Sequence, residues 1–207
     1  MAEERLSLGQ AARLSRYLQI LTQTSKAGRN NISSKVLSEH SGVNPTQIRR
    51  DLAALGKFGK RGVGYDVDYL KGQIKEILHT SGQHNIALLG CGNLGIAIAR
   101  SNVFADHGFR ISALFETDPV KVGQKVGDLV VQHISEIVET VKDRNIIVGV
   151  LAVPPKAAPA AANALIDANV KIIFNYSEAL LDTPPGVTVH SMSPAGELLY
   201  ALYFYLS

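Results

Sequence analysis

The sequence has little of what secreted, metal-clustering or membrane-spanning proteins need. Among its 207 residues there are one cysteine, two methionines and no tryptophan. A single cysteine excludes an intramolecular disulfide framework and a thiolate metal cluster within one chain. No stretch approaches about 18 uninterrupted apolar residues, so we expect no transmembrane helix. The first residues lack a long apolar run, so we also expect no secretory signal and a cytoplasmic location.

The composition, with 46% hydrophobic and 19% charged residues, is that of a globular protein with a real core. The charge is unevenly distributed. Residues 1–80 hold 13 Lys and Arg against 7 Asp and Glu, a net charge of +6, whereas the remainder carries −3. A net positive charge on the N-terminal region indicates that this region binds a polyanion. The alternative is a solvated basic surface without a partner.

The hydrophobic pattern changes near residue 81. Before it, apolar residues recur at helical spacing, and after it, short β-branched runs alternate with helical segments. We therefore predict an N-terminal domain over residues 1–81 and an α/β domain over residues 82–190. Residues 191–207 form a separate final segment.

Four helices are predicted in the first domain, with a tight turn between the second and the third, and with a fourth over residues 69–79 that leads to the second domain. An apolar stripe predicts a first helix over residues 8–24, and Ser33 or Ser34 can cap a second over residues 35–40. A turn at residues 41–43 leads to a third helix that Asn44 caps and that ends near residue 55. This order is typical of a helix-turn-helix domain.

Polar side chains lie on the outward face of the third predicted helix, because Ile48, Leu52 and Leu55 face inward. Arginine can read guanine and glutamine can read adenine in the major groove, which makes this face a candidate for base contacts. The basic, glycine-rich segment after it, residues 57–65, predicts a hairpin wing that meets phosphates and a minor groove. The candidate DNA-binding residues are Thr46, Gln47, Arg49, Arg50, Lys57, Lys60, Arg61 and Tyr65. The alternative is a small helical domain with a solvated basic loop.

A glycine loop, residues 90–95, lies between a predicted strand at 86–89 and a predicted helix at 96–104. Its sequence is Gly90-Cys91-Gly92-Asn93-Leu94-Gly95. In this strand-loop-helix context the first glycine permits a tight turn and the second lets the backbone approach a pyrophosphate. The third lets the helix pack close to the sheet, and the helix N-terminus attracts the phosphates.

An acidic residue, Glu116, ends the next predicted strand, over residues 110–115, at the place expected for the acid that binds the adenosine ribose. A carboxylate there disfavours the 2′-phosphate of NADP. Asp118 is the competing candidate. The alternatives are an ordinary strand-end acid and a site for another nucleotide, such as coenzyme A.

The alternation of strands and helices continues to residue 174. Strands are predicted at 128–131, 145–153 and 170–174, and helices at 134–141 and 157–168. This order predicts a parallel, doubly wound sheet, whose ligands bind at the carboxyl ends of the strands. Val153, Pro154 and Asn175 are candidate cofactor contacts at that edge.

The last stretch, residues 196–206, is apolar nearly all round, which predicts burial against a partner subunit or between domains, or a helix in the core of its own chain. Cys91 is interpreted as a small residue packed beside the glycine loop, and the six histidines show no metal-ligand spacing. The sequence has no nucleophile–base pair, GxSxG motif or P-loop lysine, so we do not expect an enzyme.

The combined pattern resembles the Rex family of bacterial redox-sensing transcriptional repressors. The residues that carry the resemblance are 47–52, 59–65, 90–95 and 151–154. It implies a homodimer with a winged-helix domain, a Rossmann domain and a C-terminal helix exchanged between subunits. It also implies that NADH and NAD⁺ compete for one site, and that NADH favours release from a palindromic operator.

Three positions depart from this family. Members commonly carry an arginine, a tyrosine and an aspartate where Gln19, Ser101 and Ser193 stand, and these residues can form a network that links cofactor state to domain position. We therefore expect DNA and dinucleotide binding with a weaker or rewired NADH response. The other hypotheses are a regulator that senses coenzyme A or another nucleotide, and an NAD-dependent oxidoreductase with an added basic domain.

Overall fold

The structure, a computed structural model, describes residues 6–56, 59–60, 63–102, 104–193, 195–196, 198–199 and 202, with the backbone alone at residues 55, 59 and 60. The chain divides into two compact units. The first runs to Gly82 and includes Asp106–Gly108, and the second begins at Gln83 and contains the rest.

The first unit consists of four helices and a small antiparallel sheet in the described ranges. The helices are α1 (Leu8–Lys26), α2 (Ser34–Ser41), α3 (Pro45–Leu55) and α4 (Val67–Ile77). The strands are β1 (Asn31–Ile32), β2 (Gly59–Lys60) and β3 (Gly64–Asp66), in the order β1-β3-β2. A helix-turn-helix with an attached hairpin results, as predicted.

Side-chain caps determine where these helices begin. The Ser33 hydroxyl accepts a hydrogen bond from Val36 N, and Asn44 Oδ1 accepts one from Gln47 N at 2.8 Å. Gly42, with a φ of 68°, ends α2 in the left-handed conformation that glycine adopts without cost. The predicted caps and the predicted turn are therefore confirmed.

Two details of the first unit differ from the prediction. Asn31 was not predicted to lie in a strand, but it belongs to β1 and pairs with Asp66 of β3. The fourth helix was expected from residue 69 and begins at Val67, because the Asp66 carboxylate caps it by accepting from Tyr69 N at 2.8 Å.

The core of the first unit is formed by the predicted apolar stripes. Side chains from all four helices and from β1 are buried in one cluster: Leu14, Tyr17, Leu18, Leu21, Ile32, Leu37, Ile48, Leu52, Val67, Leu70 and Ile74. Burial of Ile48 and Leu52 fixes which face of α3 points inward. The opposite face, with its arginines, is therefore left to solvent.

The second unit is built on a seven-stranded sheet, counted over the described residues. Its strands are β4 (His84–Leu89), β5 (Phe109–Glu116), β6 (Lys125–Val126), β7 (Leu129–His133), β8 (Val148–Leu151), β9 (Ile172–Asn175) and β10 (Thr188–Ser191). Its helices are α5 (Asn93–Arg100), α6 (Ile137–Asp143) and α7 (Ala158–Asp167), with short 3-10 turns at Ile134–Glu136 and Pro155–Ala157. A further 3-10 turn, Ala105–His107, contains residues of both units.

The strand order is β10-β9-β8-β4-β5-β7-β6, and every pairing is parallel except that of β6 with β7. The chain runs outward from β4 in one direction through β5 and β7, then returns to the other side of β4 as β8, β9 and β10. The predicted parallel, doubly wound sheet is confirmed. A sheet of this kind binds its ligand at the point where the order of the strands reverses, which here is the carboxyl end of β4.

Several strands and helices of the second unit begin or end at other residues than predicted, and two short strands were not predicted. The helix expected at 96–104 is α5, which begins inside the glycine loop at Asn93 and ends at Arg100. The strand expected at 145–153 is limited to β8, because Asn145 adopts a left-handed φ of 48° and the chain turns at Pro154. The short strands β6 and β10 were missed, since neighbouring strands rather than local pattern define them.

The final segment is described in part. Residues 195–196, 198–199 and 202 are helical, and Leu198, Leu199 and Leu202 are 69%, 68% and 47% exposed. These three leucines therefore do not pack into the core of their own chain. Residues 197, 200–201 and 203–206 of the predicted apolar stretch lie outside the described residues.

Candidate functional site

The outward face of α3 presents Thr46, Arg49 and Arg50 to solvent, as predicted. The Arg49 guanidinium donates from Nη2 to Thr46 Oγ1 at 3.1 Å and from Nη1 to Ser34 Oγ at 3.4 Å, which directs it along the start of α2. The two arginines thus form a polar, cationic surface on the helix that a helix-turn-helix domain inserts into DNA.

Gln47 differs from its neighbours because it is half-buried and hydrogen-bonded to the same helix. Its Nε2 donates to Asp51 Oδ1 at 2.8 Å. One N–H of the Gln47 amide is therefore held by Asp51, and the second N–H and the carbonyl oxygen can face a base.

Asp51 links α3 to α1 through a bidentate ion pair. Arg13 donates to Asp51 from Nε and from Nη2, both at 2.7 Å, and the Tyr17 hydroxyl donates at 2.9 Å. The Asp51 side chain is 5% exposed. Burial alone raises the pKa of Asp51, but the hydrogen bonds from Arg13, Gln47 and Tyr17 outweigh it and lower that pKa overall. The carboxylate therefore stays ionised and fixes how α3 sits on α1.

Within the wing, residues 57–65, the described strands β2 and β3 pair antiparallel, Gly59 with Tyr65 and Lys60 with Gly64. A Cβ at Gly64 would lie 2.6 Å from Ile32 O, so glycine lets β3 approach β1 closely. Tyr65 is half-buried. Burial raises its pKa, and the nearby charge of Arg49 acts in the opposite direction. Lys57, Arg61 and the side chain of Lys60 lie outside the described residues.

The glycine loop, residues 90–95, connects β4 to α5 as the sequence predicted. A Cβ on Gly90, which has a φ of 96°, would lie 2.5 Å from Ala152 O, and a Cβ on Gly95 would lie 1.8 Å from Gly90 O. A Cβ on Gly92 would meet no described atom within 4 Å. Gly90 and Gly95 are thus required for packing within the protein, whereas Gly92 leaves space for a ligand at the start of α5.

A cavity of about 610 Å³ opens beside this loop, within the range that small-molecule sites occupy. It lies between the carboxyl ends of the strands and α7. Its lining consists of Leu89, Gly90, Gly92, Phe115, Glu116, Thr117, Lys121, Ile134, Ala152, Val153, Pro154, Ala157, Ala160, Ala161 and Ala164. Five predicted cofactor contacts, Gly90, Gly92, Glu116, Val153 and Pro154, are thereby brought together.

Glu116 lies at the mouth of this cavity with both carboxylate oxygens hydrogen-bonded. Oε2 accepts from Cys91 N at 3.0 Å, and Oε1 accepts from Thr117 N at 2.8 Å. Burial raises the pKa of Glu116, but the accepted hydrogen bonds outweigh that effect and lower it overall. The acid is charged, and it holds the glycine loop against the end of β5.

Cys91 is buried in the glycine loop, where its Sγ contacts Phe115 O at 3.8 Å. Burial raises the pKa of this thiol to about 11, and the negative charge of Glu116 adds to the effect. A thiol that remains protonated near neutral pH is a poor nucleophile. The geometry is that of a packed side chain rather than of a redox centre.

Asn175 ends β9 at the predicted ligand edge, but its side chain is fully buried in its own turn. Its Nδ2 donates to Ala179 O at 2.8 Å, and its Oδ1 accepts from Ser177 N at 2.9 Å and from Ser177 Oγ at 2.5 Å. Asn175 therefore shapes the turn after β9 through groups that are already satisfied. Asn93 and Leu94 are exposed in the first turn of α5.

Two features of the cavity were missed by sequence reasoning. Lys121 lines it and lies near both predicted acids, and its signal was its place in the turn that follows Asp118-Pro119. Ala157, Ala160, Ala161 and Ala164 recur at helical spacing along one side of the cavity. Their small side chains leave the space into which a ligand can fit.

Neither a metal centre nor a membrane span is found in the part of the chain that the structure describes. No group of three or more His, Cys, Asp or Glu side chains there is placed to hold a metal ion. No helix there is both long and apolar enough to cross a membrane.

Comparison with known proteins gives both units a counterpart. A family model described as a putative DNA-binding protein N-terminus matches residues 7–53, and one described as a CoA binding domain matches residues 81–179. The redox-sensing transcriptional repressor Rex of Rubrobacter xylanophilus is 43% identical over 199 residues, which cover 96% of this chain and 92% of the relative. The chain belongs to the Rex family. Rex-family proteins are transcriptional repressors, not enzymes, so the Rossmann-like sheet serves binding.

Two solved structures of a Rex-family protein, RSP, match nearly the whole chain. The complex of RSP with β-NAD⁺ and operator DNA is 31% identical with a TM-score of 0.81, covering 99% of this chain and 94% of RSP. The complex with β-NADH is 30% identical with a TM-score of 0.82, covering 98% and 95%. The predicted fold class, a DNA-binding domain followed by a Rossmann-like parallel sheet, is confirmed.

Proposed function

We propose that this protein is a transcriptional repressor that binds palindromic operator DNA as a homodimer and releases it when NADH binds. The observation that carries the proposal is the combination, in one Rex-family chain, of an arginine-bearing α3 face and a cavity beside a glycine loop. The function is regulatory and is exercised in the cytoplasm, where bacterial operators lie.

DNA binding is assigned to residues 1–81. Arg49, Arg50 and the carbonyl of Gln47 read base edges from α3 with Thr46 beside them, and the wing, including Lys57, Lys60, Arg61 and Tyr65, contacts phosphates and the minor groove. Two-fold symmetry of the dimer places one such domain on each half of a palindrome. Residues 191–207 form the dimer contact, which the exposure of Leu198, Leu199 and Leu202 supports.

Dinucleotide binding is assigned to residues 82–190. The pyrophosphate lies over Gly92 against the N-terminus of α5, where free N–H groups and the helix dipole attract anions. The adenosine occupies the cavity, with its ribose at Glu116 and Asp118. The nicotinamide reaches the turns after β8 and β9, near Val153, Pro154 and Asn175.

The switch follows from a difference in affinity between two domain arrangements, since a ligand shifts an equilibrium only by that difference. Reduced nicotinamide is uncharged and suits a dry pocket, whereas oxidised nicotinamide carries a positive charge that such a pocket must desolvate. We expect a weakened or rewired response here. Ser101 Oγ donates to Ile98 O at 2.9 Å, and Ser193 Oγ accepts from Gly196 N at 3.1 Å, so both hydroxyls have local backbone partners.

Titration of the operator complex tests this function directly. We expect NADH, added at fixed salt to a fluorescently labelled palindromic operator bound by the protein, to lower the anisotropy, and NAD⁺ to leave it high. Salt must be fixed because phosphate contacts make the affinity salt-dependent. DNA binding that neither dinucleotide changes would contradict the redox function while leaving the DNA-binding assignment intact.

Replacing Arg50 with alanine tests base reading. Loss of a bidentate base contact is expected to weaken operator binding by about 1–3 kcal/mol, with a much smaller effect on random DNA. Anisotropy titrations with both DNAs measure the two losses. Arg110→Ala, an exposed arginine of the second unit, is the matched control. Equal losses on both DNAs would show that Arg50 contacts a phosphate instead.

A further inference from the structure

We propose that Lys121 sets the selectivity of the dinucleotide site between an adenosine ribose with a free 2′-hydroxyl and one with a 2′-phosphate. The inference rests on the proposed function, because it takes the cavity beside the glycine loop to hold the adenosine half of NAD(H). Lys121 would then be a specificity-determining residue rather than a surface lysine.

Lys121 lies beside the two acids to which the adenosine ribose is assigned, so it would be next to the 2′-substituent of that ribose. Its Nζ is 3.3 Å from Glu116 Oε2 and 3.9 Å from Asp118 Oδ2, and its side chain lines the cavity. The side chain is 38% exposed, so it borders both the cavity and solvent. The turn that carries it is held by Lys121 N donating to Asp118 O at 3.0 Å and by Val120 N donating to Asp118 Oδ1 at 2.9 Å.

The Glu116 carboxylate is already engaged on both oxygens. Oε1 accepts from Thr117 N and Asp118 N at 2.8 and 3.4 Å, and Oε2 accepts from Cys91 N and from Lys121 Nζ at 3.0 and 3.3 Å. The Thr117 hydroxyl also donates to Oε1, at 3.4 Å. Three of these five donors are backbone N–H groups, and the hydroxyl belongs to the residue next to Glu116, whereas the Lys121 ammonium is the end of a long, flexible side chain. A ribose hydroxyl that binds Glu116 therefore displaces the ammonium of Lys121 most readily.

The displaced ammonium stays beside the ribose, because Lys121 remains anchored in the turn after β5. Glu116 and Asp118 together carry two negative charges, and Lys121 reduces the net charge of this edge to one. A 2′-phosphate brings about 1.5 to 2 further negative charges near neutral pH. With Lys121 present, the phosphate lies near a cation as well as two carboxylates. The site therefore lowers the affinity for the 2′-phosphorylated dinucleotide without excluding it.

Paired binding measurements on the full-length protein test this assignment. The Kd values of NADH and NADPH are measured by titration for the wild type, Lys121→Met and Lys121→Arg, with Lys142→Met as the matched control, since Lys142 is exposed on α6. We expect the ratio of the NADPH Kd to the NADH Kd to rise tenfold or more in Lys121→Met. The NADH Kd itself should stay constant or decrease. Lys121→Arg and Lys142→Met should keep the wild-type ratio.

Several outcomes would overturn the inference. One is an unchanged or reduced ratio in Lys121→Met, and another is an equal loss of both ligands, which would indicate a purely structural lysine. A third is a wild type that shows no NADPH binding at millimolar concentration while it binds NADH. In these cases NADH binding by the wild type leaves the proposed function in place. Failure of the wild type to bind either NADH or NAD⁺ would overturn both.

Discussion

Gly95→Ala is expected to abolish NADH binding and to destabilise the second unit. The added Cβ would lie 1.8 Å from Gly90 O and 3.2 Å from Leu88 Cδ2, so the glycine loop and the start of α5 must move apart. Overpacking of this kind costs at least about 2 kcal/mol in the free energy of unfolding. The movement also removes backbone N–H groups from the pyrophosphate, and two such charged hydrogen bonds account for an affinity loss of about 100-fold or more.

Gly92→Ala is the matched control, because a Cβ there meets no described protein atom within 4 Å. We expect it to leave stability nearly unchanged and to weaken NADH binding, since the methyl group occupies the space of the ligand. Hydrogen exchange of peptides from β4 and α5 reports stability, and NADH fluorescence reports binding. A Gly95→Ala protein with wild-type exchange and wild-type NADH affinity would contradict the assignment of the glycine loop.

Asp51→Ala is expected to destabilise the first unit by about 3 kcal/mol and to abolish operator binding. The substitution removes the acceptor of the Arg13 guanidinium and leaves the Tyr17 hydroxyl, which is buried with its ring, without its partner. Breaking a buried ion pair by removing one partner is costly for that reason. It also frees α3 from α1, so the arginines lose their fixed orientation. Hydrogen exchange of α1 and α3 peptides and anisotropy with the operator measure the two effects.

The same carboxylate gives the first unit a defined pH dependence. Because the pKa of Asp51 is lower in the folded than in the unfolded protein, the unfolded state binds protons more readily. The stabilisation is therefore fully present above the ordinary aspartate pKa and is lost as the pH falls below about 4. Asp51→Asn keeps the shape of the side chain and should lose this acid sensitivity. An Asp51→Asn protein whose first unit unfolds with the wild-type pH profile would show that Asp51 does not control it.

Local signals were sufficient for much of the first unit and for the glycine loop. Asn44 and Pro45 begin α3 through contacts with its own first turn, and Gly42 ends α2 through its own backbone conformation. Caps and turns of this kind involve residues a few positions apart, so the sequence by itself determined them. The same holds for the order of strands and helices that predicted a parallel sheet.

The predicted site was less complete because its contacts join distant segments. Gln47 was predicted to read a base, and the structure adds that its amide donates to Asp51, which Arg13 binds from 38 positions earlier in the chain. Glu116 was predicted from its place at the end of a strand, but its hydrogen bond from Cys91 N, 25 positions earlier, joins two separate segments. Neither the contact of Arg13 with Asp51 nor that of Cys91 with Glu116 has a local sequence signature, so the tertiary structure revealed both.

The sequence by itself determined that this protein joins a helix-turn-helix to a dinucleotide-binding sheet, since caps, periodicity and glycine spacing are local properties. The tertiary structure alone decided which charged groups meet. It placed Arg13 beside Asp51, 38 positions later in the chain, and lined one side of the cavity with the alanines of α7. Electrostatic and steric interactions depend on distance in space, and distance in space follows from how the strands and helices pack.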